Sequence, residues 1–278
     1  MTDPPWEICI YQGWDWSSVP DAEGLLTALR IAVREDCDQC EVGILFSGGL
    51  DSTVLAKLAS DLSHVRLYTI GLPGSHDLVI AEETAGDLGL EWEGIVLDRG
   101  QVMEALPHLS AILDSESPLV LSFEMPLYVV ASKANEHLLI SGQGADELFG
   151  GYARYARMSE EELRASLDQD LQGLLTVGAE RERRLAGHFG KVIRHPYLHR
   201  EVVNFAQLLP MSERIHQGER KKVLRDVASL LELGPVISRP KKAAQYGSGV
   251  MKEMRAEAKR RGVPLAGLVG SLRQGETL

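Results

Sequence analysis

Several things are scarce in this sequence, and each scarcity removes a class of protein. Of the three cysteines, Cys9 stands alone and Cys37 and Cys40 form a Cys-x-x-Cys. No second pair completes a four-thiolate zinc shell, so the pair reads as reduced and structural, with a redox or metal role as the alternative. No apolar run approaches the ~20 residues that span a bilayer. The stretch from Met1 to Trp6 lacks the basic start and apolar core of a signal peptide, so a cytoplasmic location is expected. Positive charge is in deficit, with 29 Lys and Arg against 40 Asp and Glu and a net charge of −11. That balance argues against bulk affinity for nucleic acid or acidic membranes, and leaves room for a local basic site in the C-terminal third. Internal repeats and low-complexity tracts are lacking. So is the glycine loop ending in Gly-Lys-Ser/Thr, which removes a kinase or GTPase reading.

What remains is an ordinary globular chain of 278 residues, 44% hydrophobic and 25% charged, enough for one large core or two modest ones. It is organised around Val42 to Phe46, a strand-length apolar run, followed by Ser47-Gly48-Gly49-Leu50-Asp51-Ser52-Thr53 and an apolar stretch at helical spacing. A strand turning sharply into a helix suits a phosphate. Gly48 and Gly49 let successive amides point into one concavity, and the helix beginning near Asp51 adds its unpaired N–H groups and positive dipole end. Ser47, Ser52 and Thr53 supply small hydroxyl donors. Asp51 would repel a phosphate unless a divalent cation sat between them, and Mg²⁺ takes one or two carboxylates plus phosphate oxygens.

The rest of the chain alternates. Asp21 to Glu35 reads as an amphipathic helix, Val65 to Ile70 as a strand, Ile80 to Leu88 as helical, and Glu93 to Leu97 as a third strand. Helical patterns at Gln101 to Leu113 and Phe123 to Asn135 precede a buried strand at His137 to Ile140. Such alternation predicts an α/β fold, a parallel sheet with helices on both faces, with ligands at the strand ends where Ser47, Gly71 and Ser141 emerge. After Met158 strand signals fade, and Glu160 to Leu175, Glu201 to Leu209, Glu219 to Leu231 and Gly249 to Arg261 look helical. The expected organisation is an aromatic-rich start and helix (1–40), an α/β core (41–157) and a mainly helical region completing the site (158–278). Trp6, Tyr11, Trp14 and Trp16 in the first part suit the edge of a core or a subunit interface, which leaves a homo-oligomer open.

A second strand-to-turn signal is Ile140-Ser141-Gly142-Gln143-Gly144-Ala145-Asp146-Glu147, running on to Tyr152. Asp146 and Glu147 are either first-turn acids favoured by the helix dipole or, for Asp146, a partner to Asp51 on a shared Mg²⁺. The segment Gly71 to Asp77 is either a capped loop or a backbone contact to a base.

With a later Lys221-Lys222-Val223-Leu224-Arg225, these segments occur in an order that resembles the synthetase domain of the asparagine synthetase family, over roughly Glu41 to Gly249. The resemblance implies an ATP pyrophosphatase (PP-loop, HUP-like) fold and a two-step ligase. ATP and a carboxylate, aspartate being the first to try, give an acyl-adenylate and pyrophosphate, then ammonia or an amine forms the amide and releases AMP. It implies that Ser47, Gly48, Gly49, Leu50, Asp51 and Ser52 bind pyrophosphate, and that Asp51 and Asp146 hold Mg²⁺. Leu45 and Gly71 would approach the adenosine, and Gly142, Gln143 and Gly144 the adenylate and acyl group. Lys221 would stabilise the phosphorus in flight. Arg239, Lys241 and Lys242 are either a basic segment closing over the phosphates or a solvated positive run.

The family's N-terminal glutaminase domain is not seen ahead of this region, and residue 2 is Thr2, so ammonia is expected free or from a separate glutaminase subunit. Gln143 stands where asparagine-forming members carry Glu, and a neutral amide accepts no proton from an amine. Arg194-His195-Pro196-Tyr197-Leu198-His199 resembles a family run that ends in aspartate, with His199 in place of the acid. Glu116 is either an acid near the substrate or, with Ser115 and Ser117 beside it, part of a plain loop. Two other readings stand beside the ligase: a tRNA-thiolating enzyme using Cys37 and Cys40, and a non-catalytic nucleotide-binding relative.

Overall fold

Short apolar strands running the same way need a helix between them to return the chain and cover a face. The computed structural model describes residues 21–37, 41–237 and 247–275. Trp6, Tyr11, Trp14, Trp16, Cys9, Cys40, Arg239, Lys241 and Lys242 lie outside the described residues. Helix α1 (Ala22–Cys37) leads to β1 (Val42–Leu45), α2 (Leu50–Ser60), β2 (Val65–Gly71), α3 (His76–Leu88) and β3 (Glu91–Val96). Then come α4 (Arg99–Leu113), α5 (Pro118–Lys133), β4 (Leu138–Ile140) and the short α6 (Ala145–Phe149). Helix α7 (Glu160–Gly173) passes through a π turn at Leu174–Gly178 into α8 (Ala179–His188), which delivers the chain to β5 (Val192–Arg194).

The five strands lie in the order β3-β2-β1-β4-β5, every pair parallel. Strand β1 is central, with Val42 level with Val65 on one side and Leu138 on the other. Between β1 and β4 the order of building reverses, and at such a switch point the loops leave in opposite directions and open a crevice. Ser47 and Ser141 leave the sheet on its two sides.

The side chains alternate as a parallel sheet requires. Val42, Ile44, Leu67 and Ile140 join a core under α1, α2 and the helix Lys222–Leu230, whereas Tyr68, Ile70, Leu139 and Ile193 join one under α4, α5 and the helix Val250–Arg261. Cys37 belongs to the first core and is buried, which gives a sulfur-transfer role no access to its thiol. No helix among the described residues is long and apolar enough to cross a membrane.

Three expectations for the region after Met158 are corrected. The sheet recruits a fifth strand there, β5, whose three residues have only Ile193 buried, too short a run for periodicity to register. Helix α8 was also unexpected, its buried Leu185 and Ala186 being outnumbered by the charges of Glu180 to Arg184. The helix predicted from Glu219 begins instead at Lys222. Glu219–Arg220 pairs antiparallel with Ile215–His216 across Gln217 (φ 48) and Gly218 (φ 83), two positive φ values in the central residues of a tight hairpin.

Candidate active site

The crevice at the switch point is a cavity of about 300 Å³. On the β1 side its floor is the predicted loop. Phe46 N donates to Tyr68 O at 2.8 Å, and Thr69 Oγ1 donates to Phe46 O at 2.5 Å, so the loop starts from a fixed point. Gly48 has φ +67, and a Cβ there would sit 2.7 Å from Ile80 O and 2.9 Å from Ala81 N, so only glycine brings this backbone against α3. Gly49 is the N-cap of α2 and places no side chain over the first-turn amides. Ser47 Oγ and Ser52 Oγ stand 3.4 Å apart beside them. The result is an open helix end flanked by hydroxyls, which is an anion cradle.

Asp51 and Asp146 converge. Lys221 Nζ lies 2.5 Å from Asp51 Oδ1 and 2.7 Å from Asp146 Oδ1. The lysine reaches them because the hairpin turns the chain back and Lys221 itself adopts φ 58, ψ 39, left-handed for a residue with a side chain. That conformation costs on the order of 1 kcal/mol and persists only where the surroundings enforce it. Lys221 is buried, and Tyr197, fully buried, donates from its hydroxyl to Asp51 O at 3.0 Å. Gly151 closes the trio from above, since a Cβ there would overlap Asp146 Oδ1 and Lys221 Cε. Gly151→Ala is therefore expected to separate the two groups and lower turnover by about 100-fold, the usual consequence of a small misplacement. Steady-state kinetics on the variant, with its melting temperature as control, checks it.

Of the predicted residues, Leu45, Ser47, Asp51, Ser52, Gly142, Gln143 and Asp146 line the cavity. Gly48, Gly49, Leu50, Gly71, Gly144 and Lys221 are not among the lining residues and belong to the segments that carry them. Gly71 is packed under Ser75 and Leu78, and the β2 contribution comes from Tyr68, Thr69 and Ile70 instead. Glu116 is on the surface, paired with Arg273 at 3.0 Å, and takes no part. Sequence reasoning missed Tyr152, Arg220, Glu124 and Glu182. Glu124 carried a signal, being the lone acid of the otherwise apolar α5, whereas Glu182 was hidden in the charge run of α8.

Burial dominates the electrostatics. It raises the carboxyl of Glu147, which the 2.5 Å bond from Tyr152 Oη partly offsets, and it raises Tyr152 and Tyr197. Burial, then Arg183 and Arg194, lower His195 from 6.5 to about 4. Between those values the folded state binds fewer protons than the unfolded chain. Stability present above pH 6.5 is thus lost as pH falls through 4, by about 3 kcal/mol. His195→Asn is expected to flatten that part of the profile, read by urea unfolding at a series of pH values.

The asparagine synthase family model matches residues 24–167 and 157–263. The chain belongs to the asparagine synthase family. The putative glutamine-hydrolyzing asparagine synthetase 1 of Methanocaldococcus jannaschii is 35% identical in an alignment that covers 80% of this chain and 48% of that protein. Asparagine synthetase B of Escherichia coli is 24% identical over 88% of this chain and 49% of its own length. The Gallus gallus asparagine synthetase is 27% identical over 76% and 40%. The chain thus spans about half the length of the curated relatives it matches. In this asparagine synthase family member His199, which replaces an expected acid, has a structural task. Its Nδ1 accepts from Glu201 N at 3.3 Å as a helix cap, and its Nε2 meets Glu35 Oε2 of α1 at 3.0 Å.

Proposed function

We propose that the chain is an ATP-dependent, AMP-forming carbon–nitrogen ligase. It adenylates a carboxylate, releases pyrophosphate, and passes the acyl group to ammonia or an amine. The observation that carries this reading is the meeting of Asp51, Asp146 and Lys221 beside the open end of α2.

The triphosphate rests on the Ser47 to Ser52 loop, where the amides of the helix end and two hydroxyls take the β and γ phosphates. Leu45, Thr69 and Ile70 wall the adenosine side. Lys221 supplies a fixed positive charge where charge builds on the phosphorus and the leaving oxygen, and such preorganised charge is worth most in a site closed to water. The carboxylate substrate enters past Gly142 and Gln143, whose small and neutral groups let an anion approach the α phosphate. Gln143 orients and does not act as a base, because its amide takes no proton.

Mg²⁺ fits the donor set, two hard carboxylate oxygens that both reach one nitrogen. Among the described residues no cluster of three or more His, Cys, Asp or Glu holds a metal by itself, so the ion belongs with the triphosphate. When bound between Asp51 and Asp146 it neutralises charge on the departing pyrophosphate. Ammonia arrives free or from a separate glutaminase subunit.

ATP–pyrophosphate exchange tests the reading, run with a panel of carboxylic acids that begins with aspartate. Exchange dependent on one acid, with AMP as the nucleotide product, is expected. Cleavage to ADP, or nucleotide binding without exchange for any acid, rejects it.

A further inference from the structure

Among the described residues, the end of the cavity that Glu124 and Glu182 line is acidic and short of counter-charge. Glu124 comes from α5 and Glu182 from α8, two helices that pack on one another, and both side chains line the cavity. They are 1% and 4% exposed. Arg181 reaches Glu124 Oε1 at 3.5 Å. His195 Nδ1 stands 3.6 Å from Glu182 Oε2, and burial keeps that ring neutral. The Ser141 hydroxyl, which accepts from Gln143 N at 3.1 Å, favours the charged form of Glu182, while Glu124 and Glu147 oppose it. One guanidinium therefore faces two carboxylates, with a third behind them.

Among the described residues, Glu124 Oε2 and Glu182 Oε2 accept no hydrogen bond. A buried carboxylate oxygen without a donor is costly, and two of them on side chains that line one cavity are not explained by packing. Burial raises both carboxyls and so favours their neutral forms, a bias that a cation placed beside them would reverse. Between these acids and the phosphate loop the wall is hydrocarbon, from Phe123, Pro126, Leu127 and Val130. Among the described residues, Arg220 is the one basic side chain in the lining, and it donates to Gly151 O at 2.5 Å near the Lys221 end.

We propose that this end of the cavity is a subsite for a protonated nitrogen, an ammonium or alkylammonium group held between Glu124 and Glu182. Three N–H donors match the orphaned oxygens, and the positive charge completes the balance that Arg181 leaves unfinished. The assignment rests on the ligase reading only in naming which reactant carries the nitrogen. A substrate acid with a second carboxylate at this end is repelled, and one with a short alkyl chain and a terminal amine is accepted.

Calorimetric titration with 4-aminobutyrate, 4-hydroxybutyrate, succinate and methylammonium chloride, with and without ATP, tests it. At least one amine-bearing probe is expected to bind about tenfold or more tighter than the hydroxy acid and succinate, a factor worth one good charge-assisted contact. Glu124→Gln and Glu182→Gln are each expected to erase that preference while ATP affinity holds. Tighter binding of 4-aminobutyrate assigns the nitrogen to the acid being activated, and binding of methylammonium alone assigns it to the attacking amine. Equal binding of charged and uncharged probes, binding of none, or a preference that survives both substitutions overturns the proposal. An amine preference in a protein that exchanges pyrophosphate with no acid keeps the subsite and rejects the ligase.

Discussion

Lys221→Met is expected to lower pyrophosphate exchange by about 10²–10³-fold, the cost of removing one preorganised charge from a reacting centre. It also has a thermodynamic signature. In the ligand-free protein Lys221 Nζ is shared by Asp51 and Asp146, whose side chains are only 16% and 19% exposed. Without the ammonium both acids lose that contact, and breaking a buried pair in this way typically costs about 3–5 kcal/mol, the lower end applying to acids partly open to water. The double variant Lys221→Met, Asp146→Asn removes one of the two like charges. It is expected to recover most of the stability and none of the exchange, a non-additivity that equilibrium unfolding and kinetics read independently. A double variant as unstable as the single one would show that Lys221 is held by packing rather than by its acids.

The second large effect concerns the acids themselves. Asp51→Asn and Asp146→Asn are each expected to abolish Mg²⁺-dependent exchange while the melting temperature changes little, because the amide keeps the shape and Lys221 keeps the other carboxylate. Titrating Mg²⁺ separates the causes. A lost metal contact shifts the Mg²⁺ requirement upward, whereas a distorted loop lowers the rate at every concentration. Full exchange in either variant would refute the shared-metal assignment.

The parts of this site that were legible in the sequence are those where local chemistry and tertiary position coincide. Val42 to Phe46 reads as a buried strand because it is one, paired on both sides, and the Ser47-Gly48-Gly49 turn announces itself because few residues tolerate its backbone. Ser141 to Tyr152 repeats the same pattern. What was not legible was carried by a single contact or by packing. Strand β5 has one buried residue, and the hairpin at Gln217-Gly218 hides a positive φ at Lys221 that no periodicity displays. Glu182 is indistinguishable in sequence from its solvated neighbours Glu180 and Arg183. Its burial comes from the α5–α8 contact, which lies far along the chain. Glu116 shows the reverse error, an acid read as a candidate near the substrate that instead pairs with Arg273 at the surface.

The lysine shared between Asp51 and Asp146 also bears on when the site is assembled. Like charges held this near would ordinarily drive each other apart until a cation arrived, leaving the two strand ends to find their places during each encounter. Here a resident cation from the chain itself stands in beforehand. Nucleotide capture becomes an exchange of partners within a finished frame, and chelating the solution is not expected to loosen the protein.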